Sequence, residues 1–166
     1  IGHEQQHEGV IDLLRMKAVY FRGEHGEEIE LAEIPEPLKG ATEQWRRTMV
    51  EKIAETDDAL TEKFLEGKEI TVEELRSALR RATLSYHLVP VFCGSSLKNK
   101  GVQLVLDGVV DYLPSPLDLP PVRGINPKTG TEEEREVKDE SPFAALAFKL
   151  QSDPYVGQLT YFRVYS

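Results

Sequence analysis

The sequence LVPVFCGSSLKNKGVQLVLDGVVDYL, residues 88–113, contains the pattern that decides the fold. Residues 88–93 form a short apolar run of the type found in buried strands. A polar loop follows, and residues 102–113 repeat apolar side chains at helical spacing until Pro114 ends the helix. A strand, a loop and a helix in this order predict one edge unit of an α/β sheet.

The residues before this unit begin with strand-like sequence. Residues 9–34 are rich in β-branched and aromatic residues or alternate apolar with polar ones, which predicts β-strands. The charged, Gly-containing stretch at 22–27 predicts a hairpin loop between two of the strands. Pro35 and Pro37 end the strand character.

Helical patterns come next in the chain. Residues 38–66 predict two helices with a break near Thr56, because the two Asp residues after it are good N-cap types. The spacing Thr71-x-x-Glu74 is a capping box, which predicts a third helix over 72–86. In the first two helices, one apolar stripe at helical spacing is expected to face the core: Trp45, Met49, Ile53, Leu60 and Phe64.

The residues after 113 change in character. Residues 114–142 are rich in Pro, Gly and charge, which is typical of a domain boundary. Residues 143–166 predict two strands joined by a turn around Asp153 and Gly157. They resemble the start of a β domain that the chain does not complete, and both chain ends look cut from a longer polypeptide.

Composition excludes some classes of function. Acidic residues outnumber basic ones 29 to 20 among 166 residues, a formal net charge of −9, which argues against nucleic-acid binding through the averaged surface. The single cysteine, Cys93, excludes an intramolecular disulfide. No apolar run approaches the length of a membrane span and no signal peptide is visible, so we expect no membrane partner and a cytoplasmic location.

The segment His3-Glu-Gln-Gln-His7 matches the zinc-hydrolase pattern H-E-x-x-H. That chemistry needs both histidines on one face of a stable helix, and Gly2 and Gly9 flank a segment too short to form one. The extended pattern also fails, because Leu13 stands where a third histidine is required. A zinc hydrolase is therefore a remote alternative, and we expect no metal site.

Other catalytic signatures are absent from the sequence. No phosphate-binding G-x-x-x-x-G-K-S/T motif is present, and the stretch Asn99-Lys-Gly-Val102 lacks the final Asp of the guanine-reading motif N-K-x-D. The predicted helices carry many acidic side chains opposite their apolar stripe, a surface that suits a basic partner. A stand-alone acidic protein-interaction module is thus one hypothesis for the chain.

A resemblance to a known family suggests another hypothesis. Residues 89–122, with Gly-Ser-Ser-Leu-Lys-Asn-Lys-Gly-Val-Gln at 94–103, resemble the last strand, guanine loop and final helix of the GTPase domain of elongation factor G. The segments GVIDLLRMKAVYF, DDALTEKFLEG and LRRATL resemble the subdomain inserted into that domain, and residues 142–166 resemble the first strands of its second domain. The family commonly has Ala where this chain has Ser96.

This resemblance implies a division of the chain into three parts. Residues 1–87 correspond to the inserted subdomain, 88–118 to the C-terminal part of the GTPase domain, and 119–166 to a linker and the start of domain two. The implied fold is an α+β inserted subdomain plus the last strand-helix unit of a P-loop GTPase domain. The first strands of an incomplete β-barrel follow.

The resemblance also implies a function. The parent would be a ribosomal translocation GTPase that uses GTP or GDP with Mg²⁺, with its catalytic and phosphate-binding motifs upstream of Ile1. The backbone N–H groups of the fifth GTPase motif, Gly94, Ser95, Ser96 and Leu97, are expected to donate to guanine O6. The chain alone is expected to be inactive and to hold no cofactor.

The partners implied are those of the ribosome. In this family the inserted subdomain faces the C-terminal domain of the ribosomal stalk protein, which is basic, and ribosomal RNA is contacted through the parent. Opposite charge makes one acidic helix face the candidate docking side. Its residues are Glu51, Glu55, Asp58 and Glu62.

Overall fold

The computed structural model describes residues 1–166, which divide into two compact units, Ile1–Leu113 and Pro114–Ser166. The chain is a mixed α/β protein with four α-helices and three small antiparallel sheets. This confirms the predicted fold class, although no sheet closes into a barrel. The assignment of 1–87, 88–118 and 119–166 to parts of a larger protein stays a prediction.

The first unit opens with a three-stranded antiparallel sheet. Its strands are β1 (Gly9–Asp12), β2 (Lys17–Arg22) and β3 (Glu28–Ala32), in that spatial order. The central strand is the most deeply buried of the three, because Ala18, Val19 and Phe21 are all buried. The strands and the hairpin loop predicted within 9–34 are thereby confirmed.

The helices of this unit are α1 (Glu36–Ala54), α2 (Asp58–Leu65), α3 (Val72–Leu84) and α4 (Val102–Tyr112). The predicted break near Thr56 is present. Asp57 caps α2 by accepting a hydrogen bond from the Leu60 N–H at 3.1 Å. The predicted capping box is also present, with both reciprocal hydrogen bonds between Thr71 and Glu74.

The core of the unit lies among the four helices. Its buried members are Ile53, Ala54, Leu60, Leu75, Ala78, Leu79 and Tyr112. Met49 and Phe64 pack against this cluster as predicted, but Trp45 is 64% exposed, so its prediction as a core residue is wrong. Residues of α1 pack against the cluster only from Met49 onward. Trp45 has the right helical spacing, but it lies one turn before the part of α1 that contacts the cluster.

The predicted buried strand over 88–93 is not formed. These residues pair with no strand, and Val89 and Val91 are 82% and 83% exposed. A strand needs a hydrogen-bonded neighbour, and this chain supplies none beside the segment. The exposed apolar surface continues onto α4, since Leu106 and Val110 are also exposed.

The second unit consists of two separate β-hairpins. Strands β4 (Val122–Ile125) and β5 (Glu132–Arg135) pair with each other, as do β6 (Ala145–Asp153) and β7 (Gly157–Val164). The β6–β7 pair confirms the two predicted strands and their turn. The first hairpin lies in the segment whose composition predicted only a boundary.

No helix in the structure combines the length and the hydrophobicity needed to cross a bilayer. The longest, α1, has 19 residues and includes charged side chains along its length.

Replacing Leu75 by Ala should lower the free energy of unfolding of the first unit by roughly 2–5 kcal/mol. Leu75 is fully buried between helices, so truncation removes apolar contacts and leaves a cavity. Urea denaturation followed by circular dichroism measures the change. Leu65→Ala is the matched control, since Leu65 is 79% exposed, and it should change stability by less than about 0.5 kcal/mol. Equal effects of the two substitutions would contradict the placement of the core.

Candidate functional site

The polar loop between residues 88–93 and α4 is a closed turn. The Ser95 N–H donates to the Lys100 carbonyl at 2.7 Å, and the Lys100 N–H returns a bond to the Ser95 carbonyl at 3.0 Å. Within the turn, the Asn99 N–H donates to the Ser96 carbonyl at 3.2 Å. We call residues 94–100 the guanine loop, after the family motif that they resemble.

The loop leaves a defined set of backbone donors available. Of the four residues expected to contact guanine, Ser95 has an N–H that is already hydrogen-bonded to the Lys100 carbonyl. Gly94, Ser96 and Leu97 are exposed, and no hydrogen bond within the chain uses their N–H groups. The structure therefore leaves the Ser96 and Leu97 N–H groups, at the tip of the turn, as donors for a carbonyl oxygen of a ligand.

The base of the loop is too narrow for side chains at two positions. A Cβ on Gly94 would lie 2.5 Å from the Lys100 carbonyl oxygen. A Cβ on Gly101 would lie 2.9 Å from the Cys93 carbonyl oxygen, and Gly101 also has a φ of +89°, which favours glycine. Both ends of the loop thus depend on the absence of a side chain.

Two lysines of the loop bind the N-terminal segment of the chain. The Lys98 ammonium donates to the carbonyls of Glu4 (2.9 Å) and Gln5 (2.6 Å), and that of Lys100 donates to the carbonyl of His7 (2.8 Å). Residues Glu4–Gln6 form a single 3-10 turn that carries the first two of these carbonyls.

The conformation of this turn bears on the zinc hypothesis for residues 3–7. His3 and His7 flank the turn with extended backbone, so the helical face that would present both side chains to a metal is not formed. No group of three or more His, Cys, Asp or Glu side chains in the chain is arranged to hold a metal ion.

Two further side chains connect the loop to the turn between β2 and β3. Asn99 Nδ2 donates to the His25 carbonyl at 2.8 Å, and Gln103 Nε2, from the first turn of α4, donates to the Gly26 carbonyl at 3.0 Å. The approach is close, because a Cβ on Gly26 would lie 2.7 Å from the Asn99 carbonyl oxygen. Sequence reasoning missed these contacts, since no local pattern connects residues so far apart in the chain.

His7 lies near the positively charged side chains of Lys98 and Lys100. Its Nε2 is buried and has no hydrogen-bond partner. Burial lowers the pKa of His7 below its ordinary value of 6.5, and the positive charges of the terminal amine, Lys100 and Lys98 lower it further. The neutral imidazole is therefore the form that the fold favours.

The acidic residues expected to dock a basic partner are all on the surface. Glu51 lies in the last turn of α1 and Glu55 is the C-cap of that helix, whereas Asp58 and Glu62 lie one turn apart on α2. All four are exposed. Lys52 Nζ donates to both Glu55 carboxylate oxygens at 2.9 Å, which raises the pKa of Lys52 and partly offsets the negative charge there.

An apolar concavity of the first unit lies between residues 88–93 and the helices. It has a volume of about 460 Å³, with Met49, Leu79 and Phe92 among the side chains that line it. Phe92 packs against α4, where a Cβ on Gly108 would lie 2.4 Å from its ring. This concavity lies beneath the exposed apolar segment rather than at the guanine loop.

Comparison with known proteins shows that the chain resembles solved structures. A crystal structure of a protein from Thermus thermophilus resembles 99% of this chain, with a TM-score of 0.72 and 30% sequence identity. The chain spans only 22% of the length of that protein. No protein-family model matches the sequence. The likeness supports the fold of the whole chain and places it beside one segment of a much longer protein.

The lowered pKa of His7 predicts a loss of stability at mildly acidic pH. Below about pH 6.5 the unfolded chain binds a proton at His7 that the folded chain binds less readily, so stability falls as the pH drops through this range. Urea denaturation at about pH 7.5 and about pH 5.5, on either side of the ordinary histidine pKa, measures the loss. His7→Gln should reduce the difference between the two pH values. His3→Gln, at an exposed site, should not, and a similar response in both variants would contradict the role of His7.

Proposed function

We propose that this chain is an internal part of an elongation factor G-like translational GTPase. The observation that carries the proposal is the pair of free N–H groups at Ser96 and Leu97, in a turn whose sequence resembles the guanine loop of that family. The match of the whole chain to one segment of a protein more than four times as long supports the same view. The parent would couple GTP hydrolysis to movement of messenger and transfer RNA on the ribosome in the cytoplasm.

The chemistry of the loop suits guanine better than adenine. Guanine presents the carbonyl O6 as a hydrogen-bond acceptor, whereas adenine presents an amino donor at the same position. Two backbone N–H donors at the tip of one turn favour the acceptor and leave the adenine amine without a partner. Because the backbone supplies the donors, Ser96 in place of the Ala common in the family is compatible with this role.

The remaining parts of a GTPase site lie outside this chain under this proposal. Phosphate contacts and Mg²⁺ supply most of the binding and catalysis in phosphoryl transfer, and this sequence contains no phosphate-binding motif. The chain alone is therefore expected to bind guanine nucleotide weakly and to hydrolyse none. Its share in the parent is recognition of the base and contact with the ribosome.

The acidic residues on α1 and α2 are proposed to dock the basic C-terminal domain of the ribosomal stalk protein. Glu51, Glu55, Asp58 and Glu62 are all exposed, and of these Glu55 is paired with a resident cation, Lys52. Complementary charge of this kind speeds encounter and selects the partner.

The parentage has a direct genetic test. The reading frame upstream of Ile1 should encode a phosphate loop and an N-K-x-D motif. A frame without both would reject the GTPase proposal and favour the stand-alone acidic interaction module, which the net charge of −9 also suits.

Replacing Ser96 by Pro in the full-length protein should weaken GDP binding by roughly 10- to 100-fold, because proline removes one N–H donor to O6. Isothermal titration with GDP and ADP measures the affinity and the preference between bases. Ser96→Ala keeps the N–H and should stay within about twofold of the unchanged protein. An equal loss in both variants, or none in Ser96→Pro, would contradict the assigned role of the backbone.

Reversing the charges of Glu55, Asp58 and Glu62 to Lys should weaken binding to the isolated stalk C-terminal domain by about tenfold at low salt. The loss should shrink as ionic strength rises, because salt screens exposed charges. Glu132, Asp139 and Glu140, exposed residues of the second unit, provide a control triple with the same change in net charge. If both triples weaken binding equally, the effect is general charge and the proposed face is wrong.

A further inference from the structure

Three side chains of the guanine loop, and one from the first turn of α4, donate hydrogen bonds to distant backbone carbonyls. Lys98, Asn99, Lys100 and Gln103 form five such bonds, with donor–acceptor distances between 2.6 and 3.0 Å. The acceptors lie in only two segments, residues 4–7 and residues 25–26. The loop is thus attached to two turns that lie 74 to 94 positions away in the sequence.

The two lysines bond to carbonyls although carboxylates are abundant in the chain. Neither Lys98 nor Lys100 forms an ion pair, while most other lysines of the chain do. A charged donor strengthens a hydrogen bond to a carbonyl, and a backbone carbonyl has a position that the fold sets. These lysines therefore hold the loop at a defined place rather than serve as a diffuse positive patch.

The bonds begin directly beside the residues that carry the free donors. Ser96 and Leu97 are at the tip of a turn closed by the Ser95–Lys100 pair, and the anchoring side chains start at the next residue. With the loop attached to two outside segments, its N–H groups are ordered before a ligand arrives. Such ordering removes an entropy cost from the binding step.

We propose that residues 4–7 and the β2–β3 turn clamp the guanine loop, and that Lys98, Asn99, Lys100 and Gln103 are positioning residues for base recognition. This inference rests on the proposed function. It assigns control of the loop to the part of the chain that resembles the inserted subdomain. Loosening the clamp weakens recognition of the base without removing any group that touches it.

The loop itself supplies the first test. The double variant Lys98→Met/Lys100→Met removes three of the five bonds while keeping unbranched side chains that are nearly as long. In this chain, amide hydrogen exchange at Ser95 and Lys100, measured by NMR, should accelerate at least about tenfold. Exchange at Leu75 in the core of α3 should be unchanged. Unaltered exchange at Ser95 and Lys100 would overturn the clamp.

The full-length protein supplies the second test. The double variant should lower GDP affinity by about tenfold and reduce the preference for GDP over ADP. Lys98→Arg/Lys100→Arg keeps charged donors and should restore much of both. Lys128→Met, at an exposed position of the second unit, is the control and should leave both unchanged.

The two tests separate failure of the clamp from failure of the proposed function. Wild-type affinity and base preference in the Met variant would overturn the positioning role. If the unchanged full-length protein prefers GDP no more than ADP, the proposed function fails. The positioning role in base recognition then fails with it, and the exchange rates alone decide whether the loop is clamped.

Discussion

Burial of one face of α3 against the other helices is the interaction on which the first unit depends. Leu75, Ala78 and Leu79 lie on this face, and they pack with residues of α1, α2 and the end of α4. Every helix of the unit contributes at least one residue to this cluster. Hydrophobic contact of this kind is non-directional, and polar contacts are needed to set how each helix is aligned.

Those polar contacts are made by arginines at the edges of the cluster. The Arg80 guanidinium donates to the carbonyl of Asp111 at 2.7 Å, near the C-terminal end of α4. Arg46 donates from α1 to the carbonyls of Leu13 and Leu14, which follow β1, and thereby attaches the helices to the sheet. The guanine loop directly precedes α4 in the chain. Because α4 packs against α3, the placement of α3 also affects where the loop lies.

The structural features that could be predicted from the sequence are those set by neighbours in the chain. The capping box at Thr71, the Asp57 cap and the β6–β7 hairpin each depend on residues close together in sequence, and all are present. The β4–β5 hairpin was missed because its charged strands lack apolar alternation. The turn of this hairpin did carry a usable sequence signal, because Asn126 and Gly130 are turn-forming residues. In the structure, the Asn126 side chain accepts the Lys128 N–H at 2.9 Å, and Gly130 has a φ of +71°.

The features that could not be predicted depend on distant or missing partners. The segment 88–93 has the sequence of a buried strand, yet strand and burial both require a neighbour that this chain does not contain. At the candidate site, the motif indicated residues 94–97. It did not indicate that the Ser95 N–H is hydrogen-bonded within the turn and so is not available to a ligand. The hydrogen bonds of Lys98 and Lys100 join segments that are far apart in the sequence, and the spacing of residues within a motif cannot predict such contacts.

The location of Cys93 has a practical consequence for the study of the loop. It is the chain's only cysteine, it is exposed, and its carbonyl oxygen faces Gly101 across the base of the loop. A thiol-reactive spin label or fluorophore can therefore be attached at one place without removing any other cysteine. Its signal would come from the point where the loop joins the rest of the unit, and so report loop motion directly.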